Sequence, residues 1–313
     1  ILFLFLFSKK VMSALVSQDE DSEVLFDEGW FLSAGARSEA PPSALGSSLK
    51  AENKNVLRKL SKVDITKALS KNNRKGKPLW YQTRQRKVTK GQKKILNQYW
   101  PTYGKNNKEG LEYNKERLCY EPISLESWFG NGITKFNFEI GFGIGTALVQ
   151  LALNNPTENF VGIEIYRAGH AHVIKEIVEK GISNIRLLGC DAIKFFSRHL
   201  QEKIGNVYVM FPDPWMRSNV QRRLISEEFV VLLHSHMTTG SSLFISTDRQ
   251  DYADYVQKIV AQVNGKGGGD GAKICRCKSY VVNQRPDWRP QTRYECIGIS
   301  EKRDVHDFEF KMM

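Results

Sequence analysis

Between residues 136 and 263 the chain alternates short apolar runs with segments of helical period, and this alternation constrains the fold more than any other feature. Residues 136–140, 159–165, 185–188, 207–210 and 242–247 read as strands, and 207–210, a run of β-formers, as a fully buried one. Residues 146–153, 168–180, 191–200, 227–236 and 250–263 read as the helices between them. Repeated units of this kind call for right-handed crossovers and a mostly parallel α/β sheet with helices on both faces, a Rossmann-like arrangement. Beyond the glycine-rich loop at 265–271, residues 278–283 and 294–300 are predicted to close the sheet as a C-terminal antiparallel hairpin.

The sequence before this core is of another kind. Residues 1–75 combine an acidic cluster (Asp19, Glu20, Asp21, Glu23), a Ser/Ala/Pro/Gly-rich stretch and Lys-rich sequence without sustained periodicity, and are predicted as a poorly ordered extension. A domain is expected over 76–303, divided into a basic segment at 76–135 and the α/β core at 136–303, with 304–313 as a tail. Residues 71–94 hold ten Lys or Arg and no acid, framed by Trp80, Tyr81, Tyr99 and Trp100. Basic residues mixed with aromatics suit phosphate contact and base stacking; the bland reading is a solvated Lys-rich linker. Thr89 followed by Gln92 marks a helix start, Ile95, Leu96 and Tyr99 give it an apolar side, and Pro101 is expected to close it.

A net charge of +12 favours a polyanionic partner, nucleic acid before membrane surface. No apolar run reaches the roughly 18–20 residues a membrane-spanning helix needs. The five cysteines (119, 190, 275, 277, 296) form no paired C-x-x-C knuckles. They predict reduced thiols in a reducing compartment and no metal site, and leave the compartment itself open between the cytoplasm and an organelle such as the chloroplast. Cys275 and Cys277 read as the solvent side of a strand. His170/His172 and His234/His236 lie two apart, on different faces of a helix, which argues against metal ligation.

Chemistry concentrates at the strand ends. Gly141, Gly143 and Gly145 sit between the first strand and its helix, where backbone can approach a ligand closely. Glu164, nineteen residues after Gly145, ends the second strand, where a carboxylate can take both hydroxyls of a ribose. Asp191 follows the third strand and can accept from an adenine amine. An adenosine-containing cofactor fits this set, and NAD and S-adenosylmethionine both contain one. The G-x-G-x-G spacing, rather than G-x-G-x-x-G, favours the latter, as does Glu139, placed to hold an amino-acid ammonium. The fourth strand runs into Phe211-Pro-Asp-Pro-Trp215, whose prolines stop the ladder and fix Asp213 on a stiff turn.

Taken together, Glu139–Gly145, Gly162–Ile165, Phe211–Trp215, Thr247-Asp248 and Thr292-Arg-Tyr-Glu295 resemble the bacterial-type tRNA (guanine-N7)-methyltransferases over about residues 80–300. Arg84-x-Arg86, Thr89-x-Gly-Gln92 and Tyr99-Trp-Pro101 resemble that family's N-terminal segment. The resemblance implies a class I S-adenosylmethionine-dependent methyltransferase acting on N7 of the tRNA variable-loop guanine (position 46). It implies that Glu139, Gly141, Gly143, Gly145, Glu164, Asp191 and Asp213 hold the cofactor, with Asp213 catalytic. Asp248, Thr292, Arg293, Tyr294, Glu295 and Arg217 would bind the target guanine, and Arg84, Arg86, Arg222 and Arg223 the RNA. The chain departs from the family's Pro-Lys-Lys-Arg-His continuation: Met216-Arg217-Ser-Asn-Val-Gln221 follows Trp215, one residue shorter and without the histidine. That departure leaves open a catalytically impaired RNA-binding protein on the same fold; a methyltransferase acting on another RNA base is a second alternative, since Asp-Pro-Pro-Trp, close to Asp213-Pro-Trp215, is typical of adenine amino-methyl transfer.

Overall fold

The computed structural model describes residues 87–105, 123–198, 200, 202–265 and 273–313. The expectations for 1–75, for Arg84 and Arg86, and for most of the 265–271 loop lie outside them. Among the described residues, eight strands form one sheet: β1 (Gly104–Lys105), β2 (Phe136–Ile140), β3 (Asn159–Ile163), β4 (Ile185–Leu188), β5 (Val207–Met210), β6 (Ser242–Thr247), β7 (Cys275–Val282) and β8 (His306–Met312). Their order across the sheet is β1-β4-β3-β2-β5-β6-β8-β7. Every neighbouring pair from β1 to β6 is parallel, and β8 runs antiparallel to both β6 and β7.

The helices are α1 (Lys90–Tyr103), α2 (Leu125–Phe129), α3 (Thr146–Asn154), α4 (Arg167–Lys180), α5 (Ala192–Arg198), α6 (Glu227–His236), α7 (Gln250–Gly265) and α8 (Arg293–Ser300). Two apolar cores cover the two faces of the sheet. Phe136, Phe138 and Ile140 join α2, α5, α6 and α7 on one face of the sheet. On the other, α1, α3 and α4 pack with Phe160, Tyr208 and Phe244. Both faces are covered, so every residue of β2 and β3 is buried, the polar Asn137, Glu139 and Asn159 included. Chain progression goes outward from β2 through β3 and β4, returns to β5, and then proceeds the other way. The β2/β5 junction is therefore the topological switch point, where a crevice opens at the carboxyl edge of a parallel sheet.

Three boundaries differ from the sequence expectation. The stretch 294–300 is helical, not a strand, because Thr292 and Glu295 form a reciprocal capping box that starts α8. The closing strand is instead 306–312, within the stretch expected to be a tail. Its Phe308, Phe310 and Met312 insert between β6 and β7 into the core. Pro101 does not end α1, which runs on to Tyr103. The backbone bond Pro101 lacks would have gone to Asn97, an exposed residue whose carbonyl water can satisfy. Cys275 and Cys277 do lie on a strand, but Cys275 is buried while Cys277 is exposed.

Candidate functional site

Four carboxylates line the carboxyl edge of the sheet, one from each of β2 to β5. Glu139 pairs with Gly162 of β3 on one side and Tyr208 of β5 on the other. Its side chain is 3% exposed, and its Oε2 has no hydrogen-bond partner. Burial, reinforced by the Glu164 charge, lifts its pKa from 4.5 to about 8. Glu164, just past β3, accepts from the amides of Ile165 (2.6 Å) and Tyr166 (3.0 Å) with Oε1 and from Gly143 (2.9 Å) with Oε2. It thus ties the glycine loop to the end of β3. Burial raises its pKa, these amides pull it back, and Asp213 pushes it up again. Asp191 caps α5 by accepting from the Lys194 amide at 2.9 Å; burial raises its pKa to about 6.

The glycine loop is shaped from behind. Gly145 has φ +81°, and a Cβ there would fall 2.0 Å from Val173 of α4. Gly169 of α4 approaches still closer: a Cβ on it would lie 1.8 Å from the Gly143 carbonyl oxygen. Positions 141 and 143, also at positive φ, have open space where a Cβ would stand. His170, weighed in the sequence only as a metal ligand, is buried beneath this loop. Its Nε2 donates to the Glu164 carbonyl at 2.8 Å, and its ring meets Trp100 of α1 and Phe142 edge-on at 4.8 and 5.1 Å. His172 is exposed.

Past β5, Phe211 takes φ 51° and donates its amide to Ser246 at 2.8 Å, which turns the chain sharply into Pro212-Asp213-Pro214. Asp213 keeps contact with solvent, yet its surroundings withdraw enough water to raise its pKa, and Arg222 opposes that rise. Arg222 lies over the Trp215 ring at 4.0 Å. Arg223 does not face outward as an RNA contact would. It is buried, donating to the carbonyls of Pro214 (2.9 Å) and Trp215 (3.1 Å) and to Asp251 (2.7 Å), and it braces the turn from within. Arg217 opens the 3-10 turn Arg217–Arg222.

The segments expected to hold the guanine do come to this turn, though several of their side chains are already engaged. Asp248 accepts from Arg303 Nε and Nη2 through its Oδ2, at 2.9 and 2.6 Å. Thr292 and Glu295 cap α8. Glu295 also accepts from Arg285 and Arg289, each at 3.0 Å; burial would raise its pKa, but the two guanidiniums outweigh this and hold it below the ordinary range. Arg289, 2% exposed, pairs in addition with Asp307 of β8 at 2.6 Å, and Asp307 accepts from Ser246 Oγ at 2.6 Å. This buried network joins α8, β8 and β6, and nothing in residue spacing announces it. Arg293 and Tyr294 remain exposed, the Tyr294 ring stacked on Phe211 at 6.4 Å.

Glu139, Glu164 and Asp213 are electrostatically coupled acids gathered at the carboxyl edge of the sheet, and Glu139 presents a buried oxygen with no partner. Such a set fits a cationic guest carrying an ammonium. With the glycine loop and the switch-point crevice, it defines a class I, Rossmann-like methyltransferase. Residues 134–308 match a family model described as "Putative methyltransferase". Similar proteins are the tRNA (guanine-N(7)-)-methyltransferases of Yersinia pestis (strain Pestoides F), 33% identical over 73% of this chain and 88% of that one, and of Vibrio vulnificus (strain YJ016), 31% identical over 73% and 89%. The chain belongs to the tRNA (guanine-N(7)-)-methyltransferase family. Among solved structures, the 16S rRNA methyltransferase KamB aligns at a TM-score of 0.46 with 12% identity, over 63% of this chain and 96% of that one. The fold assignment rests on the strand order itself.

Proposed function

We propose that this enzyme transfers the methyl group of S-adenosylmethionine to N7 of the variable-loop guanine, position 46, of tRNA. The observation that carries the reading is the convergence of Glu139, Glu164 and Asp213 at the β2/β5 crevice of a chain in this family. Glu139 would take the ammonium of the cofactor's amino-acid arm on its unpartnered Oε2. The open space at Gly141 and Gly143 admits the cofactor against backbone. Asp191 would receive the adenine amine, and Glu164 has lone-pair capacity beyond its three amides for the ribose.

S-Adenosylmethionine supplies an electrophilic sulfonium methyl. The N7 lone pair forms the new C–N bond, the C–S pair stays on sulfur, and positive charge passes to the purine. N7 carries no proton, so the protein needs no general base; its work is alignment and charge stabilisation. Asp213, on the turn facing this junction, would stabilise the charge developing on the ring. The exposed lysines of α1 supply cations for a polyanionic substrate.

The test is incubation with methyl-labelled S-adenosylmethionine and unmodified total tRNA, followed by mapping N7-methylguanine through its susceptibility to strand cleavage. Label at the variable-loop guanine is expected, and an Asp213→Ala variant should lose at least about a hundredfold in rate while still binding tRNA. Label on adenine, or on no RNA, would overturn the reading.

A further inference from the structure

Most polar groups expected to grip the base are committed elsewhere: Glu295 and Thr292 to the α8 cap and the arginines, and Asp248 through one oxygen to Arg303. What the segment does offer is an aromatic face. Tyr294 is 59% exposed, the most exposed of the large hydrophobic side chains among the described residues. It nonetheless has an aromatic neighbour. The ring stacks at 24° on Phe211, two residues before Asp213, and Phe211 packs against the buried Arg289 guanidinium at 5.6 Å. Arg289 is neutralised by Glu295 and Asp307, so this support does not repel a cation. Trp215, the other aromatic of the turn, is half-buried and already carries Arg222 on its ring.

We infer that Tyr294 is a catalytic residue: its free face receives the target guanine, and it binds that base more strongly as the methyl arrives. This deepens the guanine-N7 reading and rests on it. Before transfer the purine is neutral and the stack is an ordinary aromatic contact. As the C–N bond forms and the C–S pair withdraws to sulfur, the ring becomes cationic, and its attraction to the π-face grows. An interaction stronger in the transition state than in the ground state accelerates the reaction rather than only tightening binding. The same stack should hold the methylated base and slow its departure.

The experiment compares single-turnover methylation of tRNA by wild type, Tyr294→Leu and Tyr294→Phe. It also measures binding of 7-methylguanosine monophosphate and guanosine monophosphate to each protein saturated with S-adenosylhomocysteine. Tyr294→Leu should slow the methyl-transfer step about tenfold with tRNA affinity changed less than about threefold, and Tyr294→Phe should recover most of the loss. Wild type should bind the methylated nucleotide more tightly than the unmethylated one, and Tyr294→Leu should lose that preference. Unchanged single-turnover rate in Tyr294→Leu, with wild type methylating guanine N7, would overturn the role of Tyr294 and leave the guanine-N7 reading standing. Wild type that labels no guanine would remove both.

Discussion

Glu139 carries a proton at neutral pH in the cofactor-free protein, since burial and then Glu164 lift its pKa to about 8. The direction of the linkage follows. Between its ordinary value of 4.5 and about 8 the folded chain holds a proton that the unfolded chain has lost, so stability falls as pH rises through that window. An ammonium placed on Oε2 would reverse the preference and ionise the carboxyl. Cofactor binding at pH 7 is therefore expected to release close to one proton, measured by calorimetry in buffers of differing ionisation enthalpy. Glu139→Gln should abolish the release and weaken binding; release unchanged in that variant would place the proton elsewhere. His170 behaves in the opposite sense. Burial lowers its pKa to about 4, so it stays neutral at physiological pH and its hydrogen bond to Glu164 holds there.

At the scale of elements, α4 acts as the mould for the glycine loop. Gly169→Ala replaces a poor helix former by the best one, a gain of about 1 kcal/mol. Its new methyl, however, would stand 1.8 Å from the Gly143 carbonyl, which sits on backbone that Glu164 holds in place. The loop must move, and cofactor affinity is expected to fall tenfold or more while the far-ultraviolet circular dichroism stays native. Unaltered affinity by titration would show that the loop yields freely. These elements also show what residue order can and cannot disclose. Strands β2 to β6 were legible because short runs rich in β-formers recur between segments of helical period, Val207–Met210 being the unbroken apolar one, and the acids were placed from the ends of those runs. Helix α8 was misread because Tyr294, Ile297 and Ile299 are β-formers, although the Thr292–Glu295 capping signature stood in the sequence. Strand β8 alternates apolar and polar side chains (Phe308, Glu309, Phe310, Lys311, Met312) and was overlooked for its position beyond the expected hairpin. The Arg289 network and the inward turn of Arg223 had no local signal: arginine is written alike whether it meets phosphate or a buried carboxylate, and only long-range packing decides.

For the whole molecule, β8 is the piece that joins the parallel half of the sheet to its last strand. Phe308 and Phe310 are buried among β6, β7 and α7, and each would cost about 3–5 kcal/mol as alanine. A domain's net stability is about 5–15 kcal/mol, so removing 304–313 should leave no cooperative urea transition by fluorescence. A truncated chain that still unfolds cooperatively would mean that β6 tolerates an open edge. Synthesis sets a timetable on the same strand. β6 and β7 flank β8 without touching each other, so as the chain leaves the ribosome its central strands can assemble while one slot stays unfilled. Until residues 306–312 emerge, β6 presents a long apolar edge ready to pair with any other chain. The enzyme's exposure to aggregation is thus concentrated in the interval before those seven residues arrive, and chaperone dependence should be read there rather than at the β2/β5 junction.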